Sequence, residues 1–140
     1  MKKILIGFFA LSLFFITPEV FGQESFREVE QKSVTITIDN EGNVKVVHEL
    51  RNSKDASQLT FVDGTVSNVK FMKFGIEESV PEAESKESIV LLPNQGNLFV
   101  SYDLNDVLFE KNRMWTWDFL YLESTSFILP KEVDLSLIHI

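Results

Sequence analysis

The residue types best suited to binding lie in one aromatic stretch, residues 115–122. Alternate side chains of a strand share a face, so a strand here places four rings in one row. A row of rings can stack against sugar rings or bind another apolar ligand, and it can equally bury a large area in a core. Core packing is the favoured interpretation, and a ligand site is the alternative. The candidate ligand-binding residues are Trp115, Trp117, Asp118 and Tyr121.

The opposite face of this stretch is also apolar, because Leu120 and Leu122 alternate with the rings. A strand that is apolar on both faces is typical of a central position, or of a surface that another part of the protein covers. The two interpretations differ in one observable feature. A ligand site needs exposed rings, whereas a core strand buries the rings and turns the two leucines outward.

His48 is the only histidine outside the last six residues, and it lies in a run of alternating apolar and polar residues. Period 2 places it on one face with Val44, Val46 and Leu50. The neighbouring Glu49 points to the other face and cannot orient the ring in regular geometry. A general base or a zinc site needs partners that converge on the imidazole. The sequence therefore favours a partly buried histidine near the end of a strand.

Known reactive motifs are absent from the sequence. It has no cysteine, which excludes disulfides, thiolate metal sites and a cysteine nucleophile. It contains no Gly-x-Ser-x-Gly elbow, no phosphate-binding glycine-rich loop and no His-Glu-x-x-His motif. We therefore expect a non-enzymatic protein with no catalytic residue, no metal site and no cofactor.

Two groups of acidic residues have the residue types of a calcium site or of a catalytic carboxylate pair. Residues 39–43 hold alternating oxygen ligands, but the known calcium-binding loop is longer and does not match here. Asp103 with Asp106, and Asp118 with Glu123, have the residue types of a glycosidase pair. The separation of the carboxyl groups decides such a role, and a sequence does not contain it. A hairpin turn and solvated surface acids are the simpler interpretations.

Residues 1–22 have the layout of a secretory signal peptide. Met1 is followed by two lysines, residues 4–16 are almost entirely apolar, and Pro18 comes shortly after this run. A helix of this length is too short for a bilayer, which needs about 20 apolar residues. This layout predicts export to the extracellular space or the cell surface, with cleavage between Gly22 and Gln23. The alternatives are an uncleaved N-terminal anchor and a buried helix.

Composition bounds the rest of the chain. Its 140 residues suit one domain, and its formal net charge is −8. Removal of residues 1–22 leaves 11 basic and 20 acidic side chains, a net charge of −9. Nucleic-acid binding depends on clustered lysine and arginine, so no nucleic-acid partner is expected. A cell-surface or glycan partner suits an exported acidic domain.

After the leader, apolar and polar residues alternate as they do in an all-β protein. Residues 33–38 and 44–51 flank a polar turn, which predicts a β-hairpin, and residues 58–62 and 65–74 flank an Asp-Gly pair, which predicts a second one. No window has helical periodicity over several turns. Further strands are expected at residues 89–92, 97–104, 115–122 and 126–129, with a strand or a single helical turn at 107–110 and an exposed acidic loop at 75–88. The pattern predicts one antiparallel β-sandwich, Ig-like or similar.

The last six residues, Leu-Ser-Leu-Ile-His-Ile, resemble one reading frame of the transposon-end adapter used in preparing sequencing libraries. A native strand is the alternative, because the same residues alternate. On the adapter interpretation, residues 135–140 are a non-native tail, and residues 23–134 are the N-terminal domain of a longer protein. A membrane anchor is then expected only in the part that follows Asp134.

Four short motifs resemble a group of uncharacterised exported archaeal proteins. The motifs are Val-Thr-Ile-Thr-Ile at 34–38, Asp-Gly-Thr-Val-Ser-Asn at 63–68, Met-Trp-Thr-Trp-Asp-Phe at 114–119 and Phe-Ile-Leu-Pro at 127–130. The resemblance covers about residues 30–134. It implies a surface-exposed N-terminal β-domain whose full-length form carries more chain. It assigns no role to any residue.

Overall fold

The structure, a computed structural model, describes residues 25–121 and 123–133. The predicted leader at residues 1–22, Leu122 and residues 134–140 lie outside the described residues. The described chain forms β-strands, a single 3-10 turn at Pro81–Ala83 and no α-helix, which confirms the all-β prediction. None of these residues belongs to a helix that is long and apolar enough to cross a membrane.

Eleven strands follow one another along the described chain. They are β1 (Arg27–Glu28), β2 (Gln31–Ile38), β3 (Val44–Leu50), β4 (Ser57–Thr60), β5 (Thr65–Lys73), β6 (Ile76–Ser79), β7 (Ser88–Leu91), β8 (Leu98–Asn105), β9 (Phe109–Lys111), β10 (Met114–Thr116) and β11 (Thr125–Ile128). β2, β3, β5 and β8 are the longest, and these four lie together in the main sheet.

The main sheet has six strands in the order β11-β2-β3-β8-β5-β6. β2 and β3 form the first predicted hairpin, with Ile38 opposite Val44 and Ile36 opposite Val46. Neighbouring strands are antiparallel except at one edge, where β11 runs parallel to β2. The sheet is therefore mixed and not purely antiparallel as predicted, because β11 reaches its partner through a long connection and not through a hairpin.

One face of the main sheet carries the core. Apolar residues alternate with polar ones along β2 and β3, so Val34, Ile36 and Val46 are buried while the intervening side chains are exposed or half-buried. A smaller sheet, in the order β1-β4-β7, adds Leu59 and Leu91 to the same cluster of buried side chains. Burial of apolar area, at about 25 cal/mol per Å², stabilises the contact between the two sheets.

The second predicted hairpin is wrong. β4 and β5 flank Asp63 and Gly64, but β4 pairs with β7 in the smaller sheet, whereas β5 pairs with β8 and β6 in the main sheet. Residues 61–64 therefore connect the two sheets. The hairpin partner of β5 is β6, which occupies the start of the predicted acidic loop. A two-residue turn, Phe74 and Gly75, joins them.

The aromatic stretch is a strand only at its start. β9 and β10 form a separate two-stranded antiparallel sheet. Residues 117–121 follow it outside any strand, and β11 then joins the edge of the main sheet. The observed strand is shorter than predicted, because the rings that follow it are held by packing against the core and not by pairing with a neighbouring strand.

Candidate functional site

His48 lies in β3 with its side chain fully buried, at 0 % exposure. It shares the inner face of the main sheet with Val46 and Leu50, as period 2 predicts. Val34 of β2 and Val100 of β8 are the residues opposite it. The expected position near a strand end, partly buried, is corrected to full burial because paired strands on both sides shield the ring from solvent.

Both ring nitrogens of His48 have hydrogen-bond partners. Nδ1 lies 2.7 Å from Oε1 of Gln31, and Nε2 lies 2.9 Å from the hydroxyl of Tyr102. The side-chain nitrogen of Gln31 donates to the hydroxyl of Tyr121 at 2.9 Å, which leaves Oε1 as an acceptor. Nδ1 of His48 therefore carries the hydrogen. Nε2 of the neutral ring then accepts a hydrogen bond from Tyr102.

The hydrogen bonds of His48 extend through Tyr102 and Tyr121 to the backbone of residues 60 and 62, where the chain passes from the smaller sheet to the main sheet. The backbone N–H of Val62 donates to the Tyr102 hydroxyl at 2.9 Å, and the Tyr121 hydroxyl donates to the carbonyl oxygen of Thr60 at 2.8 Å. Each group thus donates a hydrogen bond to the next one, from the N–H of Val62 to the carbonyl oxygen of Thr60. No two donors and no two acceptors face each other. We call this set the internal polar chain: Val62, Tyr102, His48, Gln31, Tyr121 and Thr60.

Burial sets the protonation of the internal polar chain. Desolvation lowers the pKa of His48 to about 4 and raises the pKa of Tyr121 to about 12. Desolvation also raises the pKa of Tyr102. All three groups are therefore neutral at pH 7. The His48 and Tyr102 rings stack with centroids 5.5 Å apart, and Phe61 packs edge-on against Tyr102 at 4.7 Å. This surrounding holds the imidazole in one orientation.

The rings of the aromatic stretch are half-buried and pack against the core. Trp117 and Phe119 lie edge-to-face with centroids 5.2 Å apart, and Phe127 of β11 meets Phe119 at 5.2 Å. Trp115 lies over Gly42, with its nearest ring carbon 3.5 Å from the position of a Cβ there. Edge-to-face packing is one of the preferred geometries of clustered aromatic side chains. The rings therefore do not form one flat row.

The remaining residues of the predicted ligand site lie apart from this cluster. Asp118 is exposed, and Leu120 is 81 % exposed. Tyr121 uses its hydroxyl within the internal polar chain. The structure thus brings Trp117 together with two phenylalanines but not with Asp118 or Tyr121. That Trp115, Trp117, Asp118 and Tyr121 bind a ligand stays a prediction.

The sequence prediction misses Gln31 and Tyr102 as partners of His48. The signal for Tyr102 is its place in the alternating run of β8, which puts a hydroxyl on the buried face. A buried tyrosine hydroxyl and a buried imidazole both need hydrogen-bond partners, so such residues on strands that pair predict a contact. Gln31 gives no comparable signal, because it precedes the first predicted strand.

The acidic residues of the described chain do not converge on a metal site: among its residues no three or more His, Asp or Glu side chains are placed to hold an ion. Asp103, from one candidate carboxylate pair, accepts a hydrogen bond from Asn68 Nδ2 at 2.7 Å and lines an open polar depression with Lys45 and Lys70. Comparison of the chain with protein-family models, curated proteins and solved structures gave no match. Its function is therefore inferred from its own geometry.

Proposed function

We propose that the protein is a non-enzymatic, exported β-sandwich, Ig-like or similar, which forms the N-terminal ectodomain of a longer surface or secreted protein. The observation that carries the non-enzymatic part is the internal polar chain. A general base needs a nitrogen within hydrogen-bond reach of its substrate. Both nitrogens of His48 instead serve Gln31 and Tyr102 inside the core.

The sandwich part of the proposal is supported by the shared core. Leu59 and Phe61, in and directly after the smaller sheet, belong to the same buried cluster as Val100 and Tyr102 of the main sheet. Two sheets that bury their facing side chains in one layer are the defining arrangement of a sandwich. Two parallel strand pairs at sheet edges modify this arrangement without adding a second core.

Export is supported by the sequence of residues 1–22, with its cationic start, its apolar run, and Val20 and Gly22 as tolerable residues before the predicted cleavage site. The direct test is expression of the whole chain with its own leader in a bacterial host, followed by cell fractionation and intact-mass measurement. We expect an exported product that begins at Gln23. An intracellular product that still begins at Met1 would contradict export.

The non-enzymatic part is tested by comparing the protein with the His48→Gln variant on chromogenic glycosides and esters. We expect no turnover above background by either protein, since the imidazole is shielded from solvent. A turnover that the variant loses, while its circular-dichroism spectrum matches the parent, would show that His48 acts in catalysis. That result would replace the present proposal with a hydrolase.

A second candidate, a carbohydrate- or ligand-binding module, has one supporting observation. Trp115, Trp117 and Tyr121 are each only half-buried. A glycan array probed with the protein, with Trp117→Ala and with the control Phe109→Ala separates the candidates, because Phe109 is an exposed aromatic outside the predicted site. Binding lost only in Trp117→Ala would favour the module, and no specific binding would favour the plain ectodomain.

A further inference from the structure

The turn between β5 and β6 presents an aromatic side chain to solvent from a strained position. Lys73 pairs with Ile76, so Phe74 and Gly75 are the two central residues of the turn, with φ angles of 52° and 77°. Such turns favour Asn-Gly, because bulky side chains avoid the left-handed region. Phe74 is nevertheless found there and is 79 % exposed. Neither turn geometry nor core packing accounts for a phenylalanine at this position.

Two other exposed apolar side chains lie on the same or the adjoining loop. Ile76 ends the turn and is 73 % exposed, and Leu92 is 77 % exposed. Leu92 begins the loop that contains Gly96, and the Phe74 ring lies over Gly96, 3.0 Å from the position of a Cβ there. The two loops therefore meet at one end of the domain. We call these three side chains the apolar tip: Phe74, Ile76 and Leu92.

The N-terminal part of the chain enters the domain beside the apolar tip. Arg27 of β1 pairs with Ser57, and Ser57 pairs with Leu91, the residue before Leu92. The chain that leads from the predicted leader into β1 therefore arrives at this end. We call it the N-terminal end of the domain: residues 25–27, 51–56, 73–76 and 92–97.

The N-terminal end is positively charged in an acidic protein. Its charged residues are Arg27, Arg51, Lys54, Asp55 and Lys73, a net charge of +3. Glu30 adjoins this end and pairs with Arg51 at 3.7 Å, which reduces the excess to +2. The opposite end, at residues 39–43, 61–64 and 105–108, has Asp39, Glu41, Asp63 and Asp106 and no basic residue. Lys73 Nζ lies 5.4 Å from the centre of the Phe74 ring, so one cation adjoins the apolar tip directly. This polarity orients the N-terminal end toward an anionic surface and the opposite end away from it.

We propose that the N-terminal end docks on a membrane surface of anionic phospholipid, with the apolar tip inserted among the headgroups. Protruding aromatic and aliphatic side chains flanked by lysine or arginine suit the interfacial layer, where apolar burial and attraction to anionic lipids act together. The proposal rests on the proposed export, which carries the chain across a membrane, and this end is the part of the described domain closest in sequence to the leader. Docking would hold the acidic end and the aromatic cluster away from the bilayer.

The experiment uses the absence of cysteine, which makes an introduced cysteine the only labelling site. Gln95→Cys at the N-terminal end and Asn40→Cys at the opposite end are both in exposed turns. Each exported protein, with whatever leader it retains, carries a fluorophore and is combined with vesicles of phosphatidylglycerol and phosphatidylcholine that contain a headgroup-labelled nitroxide lipid. We expect at least about threefold more quenching at position 95 than at position 40. Equal quenching at both positions would overturn the proposal.

A second variant separates docking from tethering by a leader that stays uncleaved. Phe74→Asn with Leu92→Ser removes two apolar side chains of the tip, and asparagine tolerates the left-handed turn, so the fold is preserved. The matched control is Phe109→Ser with Leu120→Ser, which removes exposed apolar side chains elsewhere. We expect quenching at position 95 to fall to the level of position 40 in the tip variant and to stay unchanged in the control. Unchanged quenching in the tip variant would show tethering alone and would overturn docking.

Failure of docking is distinguishable from failure of the proposed function. The same preparations report whether the protein was exported, by fractionation and intact mass. An exported protein without position-dependent quenching refutes docking and leaves the proposed function standing. An intracellular protein refutes the proposed function, whatever its affinity for vesicles.

Discussion

Two connections in this protein contain the same two turn-forming residue types but join different kinds of strand pair. Residues 39–43 and residues 61–64 each combine an aspartate with a glycine between strands. The first closes a hairpin within the main sheet, and the second carries the chain from one sheet to the other. Local turn residues therefore predict where the chain turns, but not which strand it will pair with next.

The difference lies in where the stabilising contacts come from. In the first connection, Asp39 Oδ1 accepts hydrogen bonds from the backbone N–H groups of Glu41 and Asn43 at 2.8 and 2.9 Å, so the turn holds itself. In the second, Val62 donates to Tyr102, and Gly64 lies against side chains of distant residues. Substitutions that remove local contacts and substitutions that remove distant ones should therefore have unequal effects.

Gly64→Ala should have the largest effect. A Cβ at this position would lie 2.5 Å from Val107 and 2.9 Å from Leu104, and the φ angle of 144° disfavours any side chain. Overpacking and backbone strain together should lower the free energy of unfolding by about 4 kcal/mol. Gly75→Ala is the control, because nothing lies within 4 Å of its Cβ position. The φ angle of 77° at Gly75 also disfavours a side chain, so denaturant unfolding of both variants isolates the effect of overpacking. Equal losses would show that the packing of Gly64 against distant side chains does not matter.

Tyr102→Phe should have the next largest effect. Loss of the hydroxyl leaves the Val62 N–H without an acceptor and Nε2 of His48 without a donor. Two buried polar groups without partners should lower the free energy of unfolding by about 3 kcal/mol. Tyr121→Phe, at a half-buried site, should cause a smaller loss when measured in the same way. A loss for Tyr102→Phe below that of Tyr121→Phe would contradict the role assigned to the internal polar chain.

Acid should destabilise the protein through His48. Its pKa is about 4 in the folded state and 6.5 in the unfolded state, so below pH 6.5 the unfolded state binds a proton that the folded state does not. Stability from the neutral imidazole is complete above pH 6.5 and is lost as the pH falls toward 4, by about 2 kcal/mol at pH 5. Denaturant unfolding at pH 7.5 and pH 5 tests this, and His48→Gln should remove most of the slope. If the pH dependence of the unfolding free energy persists in the variant, other titrating groups cause it.

Asp39→Ala should have the smallest effect. The side-chain amide of Asn43 and then its backbone N–H hold the pKa of Asp39 below its usual value, which indicates that the carboxylate stabilises the turn. The site is exposed, so we expect a fall in Tm of only a few degrees. Asp39→Asn should recover part of it, because its one amide oxygen can accept the backbone hydrogen bonds from Glu41 and Asn43 but not the one from the Asn43 side chain. A loss as large as that of Gly64→Ala would contradict the local character of this connection.

The regular part of the fold is predictable from sequence because its signals are local. Alternation along β2, β3 and β8 identifies the buried face, and it places His48 on that face correctly. The sheet to which β4 belongs is not predictable in this way, although a strand at this place in the chain is predicted. Its separation from β5 depends on the fit of Gly64 against residues 104 and 107, which no local pattern encodes.

The candidate site is less predictable than the strands, because its members come from distant segments. Gln31 and Tyr121 are hydrogen-bonded although 90 residues separate them. The sequence predicts that a buried imidazole needs partners, and period 2 correctly excludes the adjacent Glu49 from that role. The aromatic stretch shows the same limit. Its composition does not reveal that Phe127 of β11 would pack edge-to-face with Trp117 and Phe119.

The parallel pairing of β11 with β2 has a consequence for the order of folding. Thr125 lies opposite Val34, so this pair joins the two extremes of the described chain. Contacts between remote segments form slowly, and this one cannot form before nearly all of the domain has been synthesised. In a chain exported as proposed, this edge of the main sheet therefore stays unpaired until β11 has emerged. The sheet is then completed only on the far side of the membrane, after the last strand has passed through.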